Sequence, residues 1–175
     1  MTAELSIKDA HPCFSEAAHG KFARIHLPVA PLCNIGCKYC IRALNKVENR
    51  PGVASAVLSP EQAVGRVKTA KEQLPLTVVG IAGPGDALAN AQTFATFALI
   101  EREFPELMKC ISTNGLALVD CVEGLKRLRV TTVTVTVNAI KAETAVNFYH
   151  FVVLNGKRST GLEAGRLLLE RQRQG

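Results

Sequence analysis

The chain has 175 residues, a net charge of +6 and 47% hydrophobic residues, which suits one globular domain with its own core. No apolar run reaches the roughly 18 residues that a membrane span needs, and the first residues lack the basic and then apolar layout of a signal peptide, so we expect a cytoplasmic protein without membrane contact. The positive charge fits a solvated surface or attraction to an anionic ligand or acidic partner. Nucleic-acid binding is poorly supported, because aromatic residues make up only 5% and no dense Lys/Arg stripe is present.

Four β-rich segments alternate with helical patterns along the chain. The segments span residues 22–30, 76–83, 108–115 and 130–139, and helices are predicted over 59–74, 90–104, 121–129 and 159–175. Ser59 suits the N-cap of the first of these helices, with Pro60 at its first position. Strands alternating with helices predict βα units with a parallel sheet. We therefore expect an α/β fold, a partial (β/α) TIM-like barrel of about four βα units.

Cysteine-rich or polar residues follow each predicted strand, at the edge where (β/α) barrels carry their chemistry. Three cysteines follow the first strand, Gly83 to Asp86 follow the second, Ser112 to Gly115 end the third, and Asn138 ends the fourth. Four such signals at four equivalent places are not expected of a barrel without a site. The sequence therefore places a functional site at the carboxyl ends of the strands.

Cys33, Cys37 and Cys40 are spaced C-x3-C-x2-C, whereas the other cysteines, Cys13, Cys110 and Cys121, are scattered. In a reducing compartment such a cluster favours metal binding or catalysis over disulfides. Buried packing and zinc with a remote fourth ligand are the alternatives. An iron–sulfur cluster fits better, because three local thiolates would leave one iron of a [4Fe–4S] cube open to a substrate or cofactor.

The cysteine motif after the first strand of a βα protein resembles that of the radical S-adenosylmethionine (SAM) superfamily, in which Tyr39 occupies a commonly aromatic position. The resemblance implies a [4Fe–4S] cluster on Cys33, Cys37 and Cys40 whose open iron binds SAM. It also implies that SAM meets the glycine motif and the polar strand ends. The cofactor-binding residues expected on this basis are Gly83, Gly85, Asp86, Ser112, Asn114, Thr136, Asn138 and Tyr39. For Ser112 and Asn114, ordinary turn chemistry is the alternative.

Longer segments resemble the NifB family, the radical SAM proteins of nitrogenase cofactor biosynthesis, from about residue 11 to residue 175. They read HPCFSEAAHGKFARIHLPVAPLCNIGCKYC, ENRPGV, LSPEQAV, GIAGPGDALAN, CISTNGLAL and VTVTVNA. The resemblance implies that two further [4Fe–4S] clusters are substrates. They are fused with a carbide derived from a SAM methyl group to give the eight-iron cofactor precursor. Implied partners are iron–sulfur cluster donors, cofactor-carrier proteins and an electron donor such as ferredoxin or flavodoxin.

The same resemblance implies ligands for the substrate clusters. His11 and Cys13 are implied as ligands or close neighbours, in an N-terminal segment spanning residues 1–21 that precedes a radical SAM core at 22–175. Cys110 is implied as a further thiolate, and Glu48 as a labile ligand or a proton acceptor; these two are the candidate catalytic residues. The alternatives are a local turn cap for His11, strand core for Cys110 and a surface ion pair for Glu48.

The NifB family continues beyond what corresponds to residue 175, with further βα units and a C-terminal Cys-x-x-Cys segment. Either the chain is a fragment or the missing strands come from elsewhere. We favour a fragment, with an exposed sheet edge that makes it prone to self-association. Two other functions stay open. One is a non-catalytic iron–sulfur carrier or scaffold, and the other is a radical SAM enzyme acting on an organic substrate, which would need no thiols beyond the clustered three.

Overall fold

The computed structural model describes residues 10–44 and 53–175, so Glu48 lies outside the described residues. In chain order, the α-helices and strands of the described residues are α1 (Glu16–His19), β1 (Ala23–His26), β2 (Ile35–Cys37), β3 (Ala43–Leu44), β4 (Val53–Ala54), α2 (Pro60–Gln73), β5 (Leu76–Ile81), α3 (Ala91–Glu103), β6 (Met108–Thr113), α4 (Leu118–Arg127), β7 (Val130–Val135), α5 (Ala142–Ala145), β8 (Tyr149–Leu154), β9 (Lys157–Ser159) and α6 (Gly161–Gln174).

The main sheet has four parallel strands in the order β1-β5-β6-β7. Gly80 of β5 pairs with Cys110 of β6, and Cys110 pairs in turn with Thr132 of β7. The four predicted strands are confirmed. Each ends earlier than predicted, and the residues that follow it form a loop. The α/β class and the partial barrel are confirmed as well, since the sheet is parallel and helices connect its strands.

Helices α2, α3 and α4 pack on one face of this sheet. Their buried residues join Val79, Ile81 and Ile111 of the strands in one hydrophobic core. Helix α2 begins as predicted, because Ser59 accepts a hydrogen bond from the N–H of Gln62 while the Gln62 side chain accepts one from the Ser59 N–H. Since side chains alternate along a strand, residues such as Cys110 and Ser112 lie on the face away from these helices.

A second sheet, in the order β2-β8-β9, was not predicted from the sequence. Its strands are antiparallel, with Ile35 opposite Val152 and Cys37 opposite Tyr149. A separate hydrophobic cluster that includes Ile35, Tyr149 and Leu168 joins this sheet to α6. Among the described residues, no helix combines the length and the apolar character needed to cross a membrane.

Candidate active site

A cavity of about 310 Å³ lies at the carboxyl ends of the strands, where the sequence predicts a site. This volume is at the lower end of the range typical of small-molecule pockets. Its lining includes Cys33, Cys37, Cys40, Tyr39, Gly85, Asp86, Ser112, Asn114, Thr136 and Asn138. We call it the cysteine cavity. Gly83 is the exception among the predicted cofactor-binding residues, because it lines a neighbouring cavity of about 260 Å³.

The three clustered cysteines are partly exposed, and all of them line the cysteine cavity. Burial raises the pKa of the Cys33 thiol, and it raises the pKa of Cys37 to about 11, with the charges of neighbouring cysteines adding to both effects. Within residues 10–44 and 53–175, no group of three or more His, Cys, Asp or Glu side chains is placed to hold a single metal ion. Three thiols around one cavity are a donor set that suits an iron–sulfur cluster, so these residues fit that group.

The hairpin β8–β9 holds the loop that carries these cysteines. The N–H of Lys38 donates to the carbonyl of Phe148 at 2.8 Å, and the N–H of Val153 donates to the carbonyl of Asn34 at 2.7 Å. Gly36 allows the close contact with strand β8, because a Cβ atom there would lie 2.4 Å from the Phe151 ring, which would have to shift. The Arg158 guanidinium stacks on the same Phe151 ring, 3.9 Å from the ring centre.

The turn after β5, residues Gly83 to Asp86, also contacts the cysteine loop, and we call it the glycine turn. The N–H of Gly85 donates to the Ala30 carbonyl at 2.6 Å, and the N–H of Asp86 donates to the Leu32 carbonyl at 2.8 Å. A Cβ atom on Gly85 would lie 2.0 Å from the Leu32 carbonyl oxygen, so no larger residue fits. Glycine is therefore needed here for close backbone approach.

Asn90 adds a side-chain clamp that the sequence analysis missed. Its amide oxygen accepts from the N–H of Leu32 at 3.0 Å, and its amide nitrogen donates to the Leu32 carbonyl at 2.8 Å and to the Asp86 carbonyl at 2.7 Å. The residue is 2% exposed. Because Leu32 directly precedes Cys33, the clamp sets the position at which the cysteine loop begins.

Asp86 connects the glycine turn to the loop after β6. Its carboxylate accepts from the Thr113 hydroxyl at 3.0 Å, the Asn114 N–H at 2.6 Å and the Leu88 N–H at 2.9 Å. Burial raises the pKa of Asp86, although these hydrogen bonds work in the opposite direction. The contacts described for this carboxylate are with the protein itself, and its role toward a cofactor stays a prediction.

The loops after β6 and β7 complete the rim. The Asn114 amide nitrogen donates to the Asn34 side chain at 2.7 Å, which connects the loop after β6 to the cysteine loop. From α6, the Gln172 amide donates to the carbonyls of Asn114 and Thr136, at 2.7 and 3.1 Å. The four strand ends and α6 thus form one hydrogen-bonded frame around the cysteine cavity.

His11, Cys13 and Cys110 form a second group, which we call the thiol patch. His11 is fully buried, with its Nε2 3.4 Å from the Thr132 hydroxyl and its Nδ1 accepting from the Cys13 N–H at 3.2 Å. The Arg24 guanidinium donates to the exposed Cys13 sulfur. Burial raises the pKa of Cys110, and the nearby Cys13 adds to that effect.

The thiol patch and the cysteine cavity share one face of the main sheet. Cys110 precedes Ser112 of the cavity lining by two residues of β6, which corresponds to about 6.6 Å along a strand. The structure thus brings together all three described residues that the sequence analysis assigned to substrate clusters. It places them beneath the cavity, on the side nearer the amino ends of the strands.

Comparisons with known proteins agree with this architecture. The model of the Radical SAM superfamily matches residues 27–172. The chain is 52% identical to the FeMo cofactor biosynthesis protein NifB of Klebsiella pneumoniae, over 95% of this chain and 36% of that protein. It is 50% identical to NifB of Methanocaldococcus infernus, over 95% of this chain and 56% of the relative. It is 45% identical to NifB of Azotobacter vinelandii, over 94% of this chain and 33% of that protein. The chain therefore spans between about a third and just over half of the length of these relatives.

Proposed function

Because the chain belongs to the radical SAM superfamily, we propose that it carries the cluster-binding and SAM-binding part of an enzyme of nitrogenase cofactor biosynthesis. The similarity to several NifB proteins over about 95% of the chain supports the pathway. The arrangement of three thiols around a single cavity at the carboxyl ends of the strands supports the chemistry.

In this proposal Cys33, Cys37 and Cys40 hold a [4Fe–4S] cluster. When bound, the cluster supplies the electron that cleaves SAM. The protein's own groups bind and orient that cofactor. Hydroxyl and amide groups suited to its amino acid and ribose parts line the cavity, namely Ser112, Asn114, Thr136 and Asn138. The close backbone approach at Gly85 keeps the glycine turn against the cysteine loop.

The proposed substrates are two [4Fe–4S] clusters that meet the thiol patch. His11, Cys13 and Cys110 offer the imidazole and thiolate groups that bind iron. Glu48, outside the described residues, is proposed as a labile ligand or proton acceptor, and Cys110 as a thiolate at the reacting clusters. The proposed reaction fuses the two clusters around a carbide derived from a SAM methyl group. A cluster donor, a cofactor carrier and a ferredoxin or flavodoxin would serve it in the reducing cytoplasm.

One observation carries this proposal furthest: two groups of thiols lie on the same sheet face, joined by strand β6. An enzyme acting on an organic substrate has no need for the thiol patch, whereas cluster substrates require ligands beside the SAM site. The proximity of Cys13 and Cys110 therefore favours a cluster substrate over an organic one.

The test is SAM cleavage by the anaerobically reconstituted chain. With dithionite as reductant, we expect 5′-deoxyadenosine to accumulate with the wild type and to be absent with the Cys33→Ala/Cys37→Ala/Cys40→Ala variant. The Cys13→Ser/Cys110→Ser variant keeps the cysteine cavity and should still cleave SAM. A wild type that is fully loaded with iron yet forms no 5′-deoxyadenosine would instead indicate a non-catalytic cluster carrier.

A further inference from the structure

The loop after β7, which begins at residue 136, lies at the outer edge of the main sheet. Strand β7 comes last in the order β1-β5-β6-β7, and within residues 10–44 and 53–175 no strand pairs with its far side. The loop is joined to the sheet by a hydrogen bond from the Thr136 N–H to the Thr113 carbonyl, at 2.9 Å. Thr136 and Asn138 line the cysteine cavity all the same. Their position therefore depends on contacts from outside the sheet.

Gln172 of α6 supplies the first of these contacts. Its amide nitrogen donates to the Asn114 carbonyl at 2.7 Å and to the Thr136 carbonyl at 3.1 Å, so one amide group joins the loops after β6 and β7. An amide nitrogen carries two N–H groups, one for each carbonyl. The stem of the side chain packs at Gly115, where an added Cβ atom would lie 3.0 Å from the Gln172 Cγ atom. Gln172 is thus held by packing as well as by its hydrogen bonds.

Tyr149 of β8 supplies the second contact. Its hydroxyl accepts from the Asn138 amide nitrogen at 3.1 Å, and the Tyr39 hydroxyl accepts from the same nitrogen at 2.6 Å. Because both N–H groups of this amide are used, a ligand would meet its oxygen, which is an acceptor. Tyr149 is 6% exposed and belongs to the hydrophobic cluster that joins β8 to α6, whereas Tyr39 is 47% exposed. The buried hydroxyl is therefore the firmer anchor for Asn138.

We propose that Gln172 and Tyr149 are positioning residues that hold the loop after β7 for SAM and so set the affinity for SAM, without holding the iron–sulfur cluster. The inference rests on the proposed binding of SAM by Thr136 and Asn138. The Thr136 hydroxyl and the Asn138 amide oxygen suit the ribose hydroxyls and the ammonium group of SAM, because each of these groups can donate a hydrogen bond.

The cysteines that hold the cluster lie in a different loop, with supports of its own. The Asn90 clamp fixes Leu32 at the start of that loop. Tyr149 does pair with Cys37, but through the backbone of β8 and β2, which a change in the Tyr149 side chain leaves in place. Loss of the Gln172 amide or of the Tyr149 hydroxyl should therefore affect SAM binding and spare the loading of iron.

The experiment is equilibrium dialysis of radiolabelled SAM against the full chain, reconstituted anaerobically and kept without reductant so that SAM is bound but not cleaved. Gln172→Met keeps the stem that packs at Gly115 and removes both donors. We expect it to load as much iron as the wild type and to show the same EPR signal after reduction without SAM. Its Kd for SAM, measured per loaded cluster, should rise about tenfold.

Two further variants complete the comparison. Tyr149→Phe keeps the buried ring and removes the hydroxyl, so its Kd should rise about threefold at unchanged iron content. Gln174→Met is the matched control, because Gln174 is an exposed residue of the same helix whose amide contacts Glu170. Its affinity for SAM should equal that of the wild type.

The outcomes separate this inference from the proposed function. Wild-type affinity for SAM in a loaded Gln172→Met variant overturns the inference and leaves the proposed function intact. A changed EPR signal of its cluster without SAM contradicts the inference as well, because Gln172 would then act on the cysteine loop. If Gln172→Met fails to fold or to load, Tyr149→Phe decides by the same two measurements. A wild type that carries its cluster yet binds no SAM overturns the proposed function and the inference together.

Discussion

The cysteine cavity and the thiol patch share one sheet face but are held in different ways. The loop of the cavity is held by backbone hydrogen bonds to the glycine turn and to β8, and glycines allow these contacts to be close. The thiol patch rests on side-chain contacts between distant parts of the chain, such as the 3.4 Å contact of His11 with Thr132, and its Cys13 is exposed. A cavity framed by backbone hydrogen bonds suits a resident cofactor, whereas a patch that ends in an exposed thiol suits a ligand that arrives from solvent.

The largest loss of stability is expected for Gly85→Ala. The added Cβ overlaps with the backbone of Leu32, which no side-chain rotation can relieve, so we expect a loss of about 4 kcal/mol in the free energy of unfolding together with poor iron loading. Gly65→Ala is the matched control, because nothing lies within 4 Å of its added Cβ in helix α2. The free energy of unfolding of Gly65→Ala should be about 0.5–1 kcal/mol higher than that of the wild type. Urea titrations giving equal stabilities for the two variants would refute the tight loop contact.

A slightly smaller effect is expected at strand β6, which contributes to both regions. Lys109 is 1% exposed and its ammonium donates to Glu101, which also pairs with Arg129. Glu101→Gln should cost about 3 kcal/mol, because it leaves a buried charge without its partner. The control is Glu123→Gln, which removes an exposed ion pair with Lys126 and should leave the free energy of unfolding nearly unchanged.

The same ion pair gives a pH dependence of known sign. Burial works to raise the pKa of Glu101, but the hydrogen bonds and charges of Lys109 and Arg129 outweigh it and hold the pKa below its ordinary 4.5. The unfolded state therefore binds the proton first, and the stability from this pair is present above pH 4.5 and lost as pH falls through the native pKa. In Glu101→Gln this part of the acid loss should vanish, whereas an unchanged loss would assign it to other carboxylates.

Removal of the side-chain clamp should have an intermediate effect. Asn90→Ala removes three hydrogen bonds to the backbone of Leu32 and Asp86, and the Leu32 N–H loses its side-chain acceptor, so we expect a loss of about 2 kcal/mol and a lower iron content after reconstitution. Gln92→Ala removes an exposed amide from the same helix and should change stability by less than about 0.5 kcal/mol. Normal iron content in a folded Asn90→Ala variant would show that the clamp stabilises the fold without positioning Cys33.

The smallest effect is expected in the thiol patch. Cys13→Ser alters an exposed side chain and should change the free energy of unfolding by less than about 0.5 kcal/mol. Cys121→Ser is the comparison within the chain, because Cys121 packs against the main core and the change should cost about 1 kcal/mol. A Cys13→Ser variant that unfolds as easily as Gly85→Ala would remove the distinction between the two regions.

The sequence was sufficient to predict the main sheet and most of the cavity lining. Periodic apolar strands and the capping signals at Ser59 are local features, and parallel strands bring their carboxyl ends to one edge whatever the details of the loops. The C-x3-C-x2-C spacing is local too. The strands, the helix cap and the cysteine spacing depended only on residues that are near one another in the chain, whereas the cofactor-binding residues were implied by the resemblance to the radical SAM superfamily.

The supports of the cavity could not be predicted, because they depend on contacts between distant segments. Strand β2 has three residues, two of them Gly36 and Cys37, so it shows no alternation that would identify a strand. Its partner β8 lies more than a hundred residues away. Asn90 was expected only as the start of a helix, since its clamp on Leu32 spans 58 residues of sequence. Tyr149 gave no local signal beyond its aromatic ring.

The most direct test of two separate iron sites is the iron content of the chain after anaerobic reconstitution, with EPR of the reduced protein. We compare the wild type, the Cys33→Ala/Cys37→Ala/Cys40→Ala variant, and that variant combined with Cys13→Ser and Cys110→Ser. We expect the triple variant to keep part of its iron with a [4Fe–4S] signal and the combined variant to lose it. A triple variant without iron would show that the thiol patch holds no cluster, and the chain would then be a single-cluster SAM-binding protein.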